Sequence, residues 1–508
     1  MRKYSFLLIL LVMSVILFSA WNLTNKMINS KQASTIVDST GERDILPGII
    51  AINSDKENKP PANFKKGHVD HAKLKNYLHQ TEYGYYLQLP SATIVPTPAV
   101  LDGNLFLSGG FGSKQYYSFE AVSGKLKWAI DLDDDGPSSP AIADGLIVFN
   151  TESCTIFVCD LVTGKLIWSY YLGDPLMSMP TIANGIVFTA YPANYNANSS
   201  GHKADTVLKY LKANPTHVLA AFDAKTGVVL WQKWIDSDIM SAPVAKDDLL
   251  YVTTFSGALY KIKQKTGEII EAKAIRATSV PIFSKDNDLI VSKRSDLETD
   301  SLVSESIVVA SGIKAKTVYR KRANYLDKKV QNQTEMKAMS EKMDAANGFV
   351  SGAPVSANWK AAEFNIGYSN VSSLQSFQGS RGVYMNGQLY NTMGDEIICT
   401  DANGDLKWKH TLDGDMKNAG GFMGTPPIYA NGYIIVATYS GDVLIVDEKG
   451  KLLNKYEIKN PIRYQPVVDK GWIYVTTANG RLYAINTGNP AITGWSMWGA
   501  NAARTNIN

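Results

Sequence analysis

One recurring phrase constrains this chain more than anything else in it. Ala221-Phe-Asp223-Ala-Lys-Thr226-Gly227-Val-Val-Leu-Trp231 returns in degraded form with Glu120, Ser123, Gly124 and Trp128. It returns again with Asp160, Thr163, Gly164 and Trp168, and, one turn residue shorter, with Asp401, Gly404 and Trp408. Each copy reads as a strand, a tight turn and a strand. The acidic and hydroxyl side chains can bond turn backbone, and the glycine permits positive φ. The tryptophan stands four residues past the glycine, at one fixed place on the next strand. A large ring repeated at one place suits the docking of one repeat on the next. Trp128, Trp168, Trp231 and Trp408, with Gly124, Gly164, Gly227 and Gly404, are therefore read as docking residues.

A second repeat lies between the copies. Pro140-Ala-Ile-Ala-Asp144-Gly145 and Pro180-Thr-Ile-Ala-Asn184-Gly185 are near duplicates, each followed by β-branched and aromatic residues. That is a strand, a two-residue hairpin and a strand. Two hairpins make a four-stranded antiparallel unit. The marking prolines stand at 98, 140, 180, 243, 281, 427 and 466, and one unit near Val383-Tyr-Met-Asn386-Gly387 lacks its proline. A period near 40 built of strands predicts an all-β, eight-bladed propeller. Tyr85 to Leu89 resembles an outer strand without a blade of its own, so residues 84–90 are expected to complete the last blade.

The chain has 508 residues, of which 45% are apolar, and a net charge of +4 with dispersed lysines and arginines. Length alone would suggest about three domains, but the repeat assigns 84–498 to one ring. The charge distribution makes no case for nucleic acid. Arg2 and Lys3 precede an apolar run from Phe6 to Trp21. Residues 1–21 read as a secretory signal peptide or a retained signal anchor, and both readings place the ring outside the cytoplasm. The first makes it periplasmic or extracellular, and the second tethers it to the inner membrane through residues 6–21. No cysteine follows the run, which excludes lipoprotein attachment on this reading. Residues 22–83 read as a flexible polar tether with one short helix around 70–79, and 499–508 as a C-terminal tail. Cys154, Cys159 and Cys399 are the only cysteines. They read as buried thiols, with a disulfide to Cys399 left open.

At the Asp-x-x-Thr-Gly-x-x-x-Trp phrase the chain resembles the pyrroloquinoline-quinone-like β-propeller superfamily, which includes quinoprotein alcohol dehydrogenases and BamB-like assembly factors. The segment Trp495-Ser-Met-Trp498-Gly-Ala-Asn501-Ala-Ala-Arg504-Thr505 is similar to one common at the ends of such domains. For the dehydrogenases the resemblance implies pyrroloquinoline quinone and calcium, adjacent cysteines over the quinone, and a catalytic Asp. No adjacent cysteine pair and no C-x-x-C-H segment occurs here. No local motif transfers the quinone or calcium ligands.

Two insertions, about 191–217 and 323–382, break the period and are expected to be small and partly helical. Asp327 to Asp344 reads as an amphipathic helix with Val330, Met336, Met339 and Met343 on one side. Trp359, Gln378 and Arg381 fall just before a blade begins, where propeller loops converge over the channel. They are the candidates for a polar-aromatic pocket, with Asp395 and Glu396 beside them. The acidic run Asp131 to Asp135 lacks the spacing of an EF-hand and reads as an inter-blade loop. His68 and His71 have no further ligand near them in sequence, and no metal site is expected.

The expected function is a non-catalytic binding or scaffolding module of the cell envelope. Its partner would be an envelope protein, a polymer or a small ligand at one propeller face, and the ring would be monomeric. The alternative is a quinone- and calcium-dependent alcohol or sugar dehydrogenase, since a fold does not fix a function.

Overall fold

The computed structural model describes residues 44–45, 66–151, 155–172, 179–192, 217–237, 239, 241–254, 257–275, 277, 279–284, 287–295, 303–311, 314–323, 382–415, 419 and 423–506. Its strands form eight antiparallel sheets. In blades 1 to 8 the first strands are Ala99–Leu101, Ala141–Ala143, Thr181–Ala183, Val244–Lys246, Ile282–Phe283, Gly382–Met385, Ile428–Ala430 and Val467–Asp469. The fourth strands are Leu126–Leu132, Leu166–Tyr171, Val229–Ile235, Ile269–Ala274, Lys314–Ala323, Leu406–Thr411, Leu452–Glu457 and, in blade 8, Gly84–Gln88. First strands touch between blades 2 and 3, 3 and 4, 5 and 6, 6 and 7, and, closing the ring, 8 and 1. They therefore line a central channel, and the fourth strands form the rim.

Closure joins the two ends of the chain. Gly84–Gln88 pairs with Arg481–Asn486, with Tyr85 opposite Ala484. The last blade thus takes three strands from the C-terminal end and one from the N-terminal side, in the place expected from sequence. The core lies between blades. Phe188, Leu219 and Trp231 of blade 3, for instance, share a buried cluster with Leu250, Tyr260 and Ile262 of blade 4.

The expected helix around 70–79 is not there. Val69–His71 pairs with the rim strand of blade 1, and Leu78–Thr81 pairs with that of blade 8. Further upstream, Asp44–Ile45 pairs with the rim strand of blade 4. Leu74, Tyr77 and Leu78 have helical spacing, but they pack against the core between blades 8 and 1. The physical reason is the rim itself. Each fourth strand offers a row of unpaired N–H and C=O groups, and the chain entering the ring satisfies them as added strands. Among the described residues there is no helix, and so none long and apolar enough to cross a membrane. The expected helices of the two insertions lie outside the described residues, as do residues 1–21 and Cys154. Cys159 and Cys399 are free, buried thiols.

Candidate functional site

The repeated phrase builds the joints of the ring. In the turn of blade 3 the Asp223 carboxylate accepts from the Thr226 N–H (2.8 Å) and hydroxyl (2.7 Å). The Thr226 hydroxyl bond is the main reason its pKa falls below the usual carboxylate value, and Thr163 does the same for Asp160. Beyond each turn the fourth strand carries a bulge, for example between Ala221 and Phe222 opposite Val229 to Trp231. The extra residues Lys127, Ile167, Leu230 and Lys407 turn outward, and the following tryptophan is aimed at the next blade.

There each tryptophan finds a glycine. A Cβ on Gly164 would meet the Trp128 ring at 2.9 Å, and one on Gly227 would meet Trp168 at 2.8 Å. Gly267 and Gly450 stand in the same relation to Trp231 and Trp408, at 2.6 and 2.7 Å. Each indole N–H also donates to a carbonyl of the next blade: Trp128 to Leu161 (3.3 Å), Trp168 to Ala224 (2.8 Å), Trp231 to Gln264 (2.7 Å) and Trp408 to Glu448 (2.8 Å). Gly404 also takes a positive φ, +87°. At the closing joint Tyr85 replaces tryptophan. Its ring covers Gly124 and its hydroxyl donates to the Ala121 carbonyl. The sequence reading missed Gly267, Gly450 and Tyr85. The Thr266-Gly267 pair carried the signal for the first.

Strand direction divides the links between strands into two faces. First-to-second and third-to-fourth links emerge on one face. Here lie the tight hairpins, with positive φ at both Asp102 and Gly103, Asp144 and Gly145, and Asn184 and Gly185, the type I′ form that suits twisted strands. Second-to-third links and blade-to-blade crossings emerge on the other face. The insertion after Ile186–Pro192 is a second-to-third link, and the one after Lys314–Ala323 is a crossing. Both therefore open on the same face.

Asp395 and Glu396 stand on that loop face, in the turn between Gln388–Met393 and Glu396–Asp401. The Asp395 carbonyl accepts from Leu412 N–H (2.7 Å), and Glu396 forms an ion pair with Lys409 (3.0 Å) on the rim strand. This ion pair holds Glu396 toward the rim. Trp359, Gln378 and Arg381 lie outside the described residues, although Arg381 directly precedes the channel strand Gly382–Met385 in sequence. In the acidic run, Asp134 accepts from the Thr151 and Thr155 hydroxyls (2.6 Å each), tying the crossing to blade 2. Asp236, also under the loop face, is fully enclosed. It accepts from Tyr260 (2.7 Å) and Thr254 (3.0 Å), and burial lifts its pKa to about 6. Among the described residues no group of three or more His, Cys, Asp or Glu is placed to hold a metal ion.

The channel is filled by a plug made of the chain's own C-terminal segment, of which only residues 499–508 are expected from sequence to be a tail. The Trp495 carbonyl accepts from Val468 N–H (2.6 Å) and Ser496 from Val100 (2.7 Å). Met497 bridges Ala99. Ala503 accepts from Ala245 (3.0 Å), and the Arg504 side chain donates to the Pro140 carbonyl (2.8 Å). The segment thus bonds the first strands of blades 8, 1 and 4 and the head of blade 2. Trp495, Trp498 and Arg504 are completely buried.

A family model described as outer membrane protein assembly factor BamB matches residues 79–298 and 418–497. No curated protein matches the chain. Among solved structures, BamB from Moraxella catarrhalis is 13% identical with a TM-score of 0.36, over 83% of this chain and 97% of that one. A quinohemoprotein alcohol dehydrogenase from Comamonas testosteroni is 11% identical with a TM-score of 0.48, over 82% of this chain and 79% of that one. Sqt1 from Saccharomyces cerevisiae is 10% identical with a TM-score of 0.49, over 79% of this chain and 97% of that one. With its repeats built into eight blades and the family model matched over more than half of its length, the chain belongs to the pyrroloquinoline-quinone-like, BamB-like β-propeller repeat family.

Proposed function

We propose that this chain is a non-catalytic binding module of the cell envelope, a ring that presents two long insertions on one face to an envelope partner. The observation that carries this reading is that the strand ends flanking the insertions at 193–216 and 324–381 all lie on one face. One face carries the tight hairpins and glycine turns of the described blades, while both insertions interrupt links on the other. A rigid ring with variable loops on one side is the usual arrangement of a binding scaffold. The channel, where a propeller can house a small ligand, is occupied by Trp495 to Arg504. An envelope location is supported by the family match and by the apolar run from Phe6 to Trp21.

The test uses the full chain and a variant with 324–381 replaced by a short Gly-Ser link. A photo-crosslinking residue at Trp359 should capture one discrete envelope protein in cells, and the same protein should bind the purified full chain but not the variant. In parallel, calorimetry with pyrroloquinoline quinone and calcium should show no stoichiometric heat. Stoichiometric quinone binding accompanied by alcohol- or sugar-dependent dye reduction would overturn the proposal in favour of a dehydrogenase.

A further inference from the structure

We propose that the central channel holds a small monovalent anion, a halide or a single carboxylate, against the guanidinium of Arg504. Arg504 is completely buried within the plug. Its guanidinium lies 4.4 Å over the Trp498 ring, and one terminal nitrogen donates to the Pro140 carbonyl. Its Nε and its other terminal nitrogen have no partner. Among the described residues no carboxylate pairs with it. Its charge neighbour is the Tyr116 phenol, which burial keeps protonated and neutral.

The rest of the plug repeats the pattern. The Trp495 and Trp498 indole N–H groups and the Asn506 amide nitrogen are also buried without acceptors. Every one of these orphaned groups is a donor. A buried, unpaired charge costs several kcal/mol, and buried donors are almost always satisfied. The indole face offsets part of the charge, but it accepts none of the in-plane N–H groups. An anion supplies what the protein does not, namely one negative charge and several acceptor directions at once. The site is sealed by the plug, so the ion would enter as the C-terminal segment docks during folding.

The test is made on the full chain, unfolded in urea and refolded in bromide, chloride, formate, sulfate or gluconate at equal ionic strength. Crystals grown from the bromide sample should show an anomalous peak within about 3.5 Å of an Arg504 nitrogen. The Tm should rise saturably with bromide, chloride or formate relative to gluconate. Arg504→Met should lose both the peak and the anion dependence of Tm. If that variant does not fold, the wild-type peak and its Tm series decide the matter by themselves, and Arg504→Lys, which keeps the charge, should retain the dependence. No bromide at the plug together with equal Tm in bromide and gluconate would overturn the proposal, leaving water as the acceptor. Stabilisation by sulfate alone would overturn the monovalent assignment.

Discussion

At Gly227 two demands meet in one residue, a φ of +71° and a Trp168 ring 2.8 Å from where a Cβ would stand. Gly185 has the same φ, and nothing lies within 4 Å of its missing Cβ. The pair separates backbone strain from docking. Gly185→Ala should cost about 1–2 kcal/mol, the left-handed penalty alone. Gly227→Ala should cost a further 1–3 kcal/mol or so, because the indole must shift out of a packed joint. Urea unfolding of both variants checks this, and equal losses would mean that the glycine does not seat the tryptophan. Asp236 makes a prediction of opposite character. Its folded pKa of about 6 lies above the ordinary value of 3.8, so the folded state holds the proton more tightly. Its effect on stability is therefore fully favourable below the ordinary value and is lost as pH rises through 6. The loss is on the order of 2–3 kcal/mol. Asp236→Asn should flatten stability between pH 4 and 6, read from Tm across that range.

The outermost strands differ in what they carry. Gly84–Gln88 is the fourth strand of the last blade and brings Tyr85 to the closing joint. Val69–His71 and Leu78–Thr81 are fifth strands on edges that are already formed. A chain beginning at Tyr83 should therefore stay folded, in the oligomeric state of the full chain, with a lower Tm. One beginning at Ser91 should lose cooperative unfolding or self-associate through the open edge of blade 8. Size-exclusion chromatography and circular-dichroism melting distinguish the two outcomes. The hairpins, the glycine turns and the replacement strand 84–88 were legible in sequence because each depends on neighbouring residues. The added strands were not. Leu74, Tyr77 and Leu78 have helical spacing, and only the presence of an unpaired rim turned that segment into strand.

For the molecule as a whole, the proposed function places stability and recognition on different parts. Joints, hairpins and plug hold the ring, and the strand ends that flank both insertions lie on one face. Replacing 324–381 with a short link should move Tm by only a few degrees while removing partner binding. A collapse of Tm would instead make the insertion part of the ring. Of the candidate pocket residues, Trp359, Gln378 and Arg381 lie outside the described residues. Asp395 and Glu396 do stand on the loop face, but the ion pair with Lys409 draws Glu396 toward the rim. Nothing in the local sequence around Glu396 announces a partner thirteen residues away.

The sequence alone determined the blade count, the closing strand and the tryptophan–glycine grammar. Those features repeat, and each repeat is a local problem of turn backbone and strand period. The tertiary structure alone decided that Trp495 to Arg504 fill the channel and that Val69–His71 and Leu78–Thr81 line the rim. It also decided that Arg504 lies buried at the centre with no carboxylate beside it among the described residues. Those outcomes depend on which surfaces a closed ring leaves unsatisfied, and such surfaces exist only once the ring has closed.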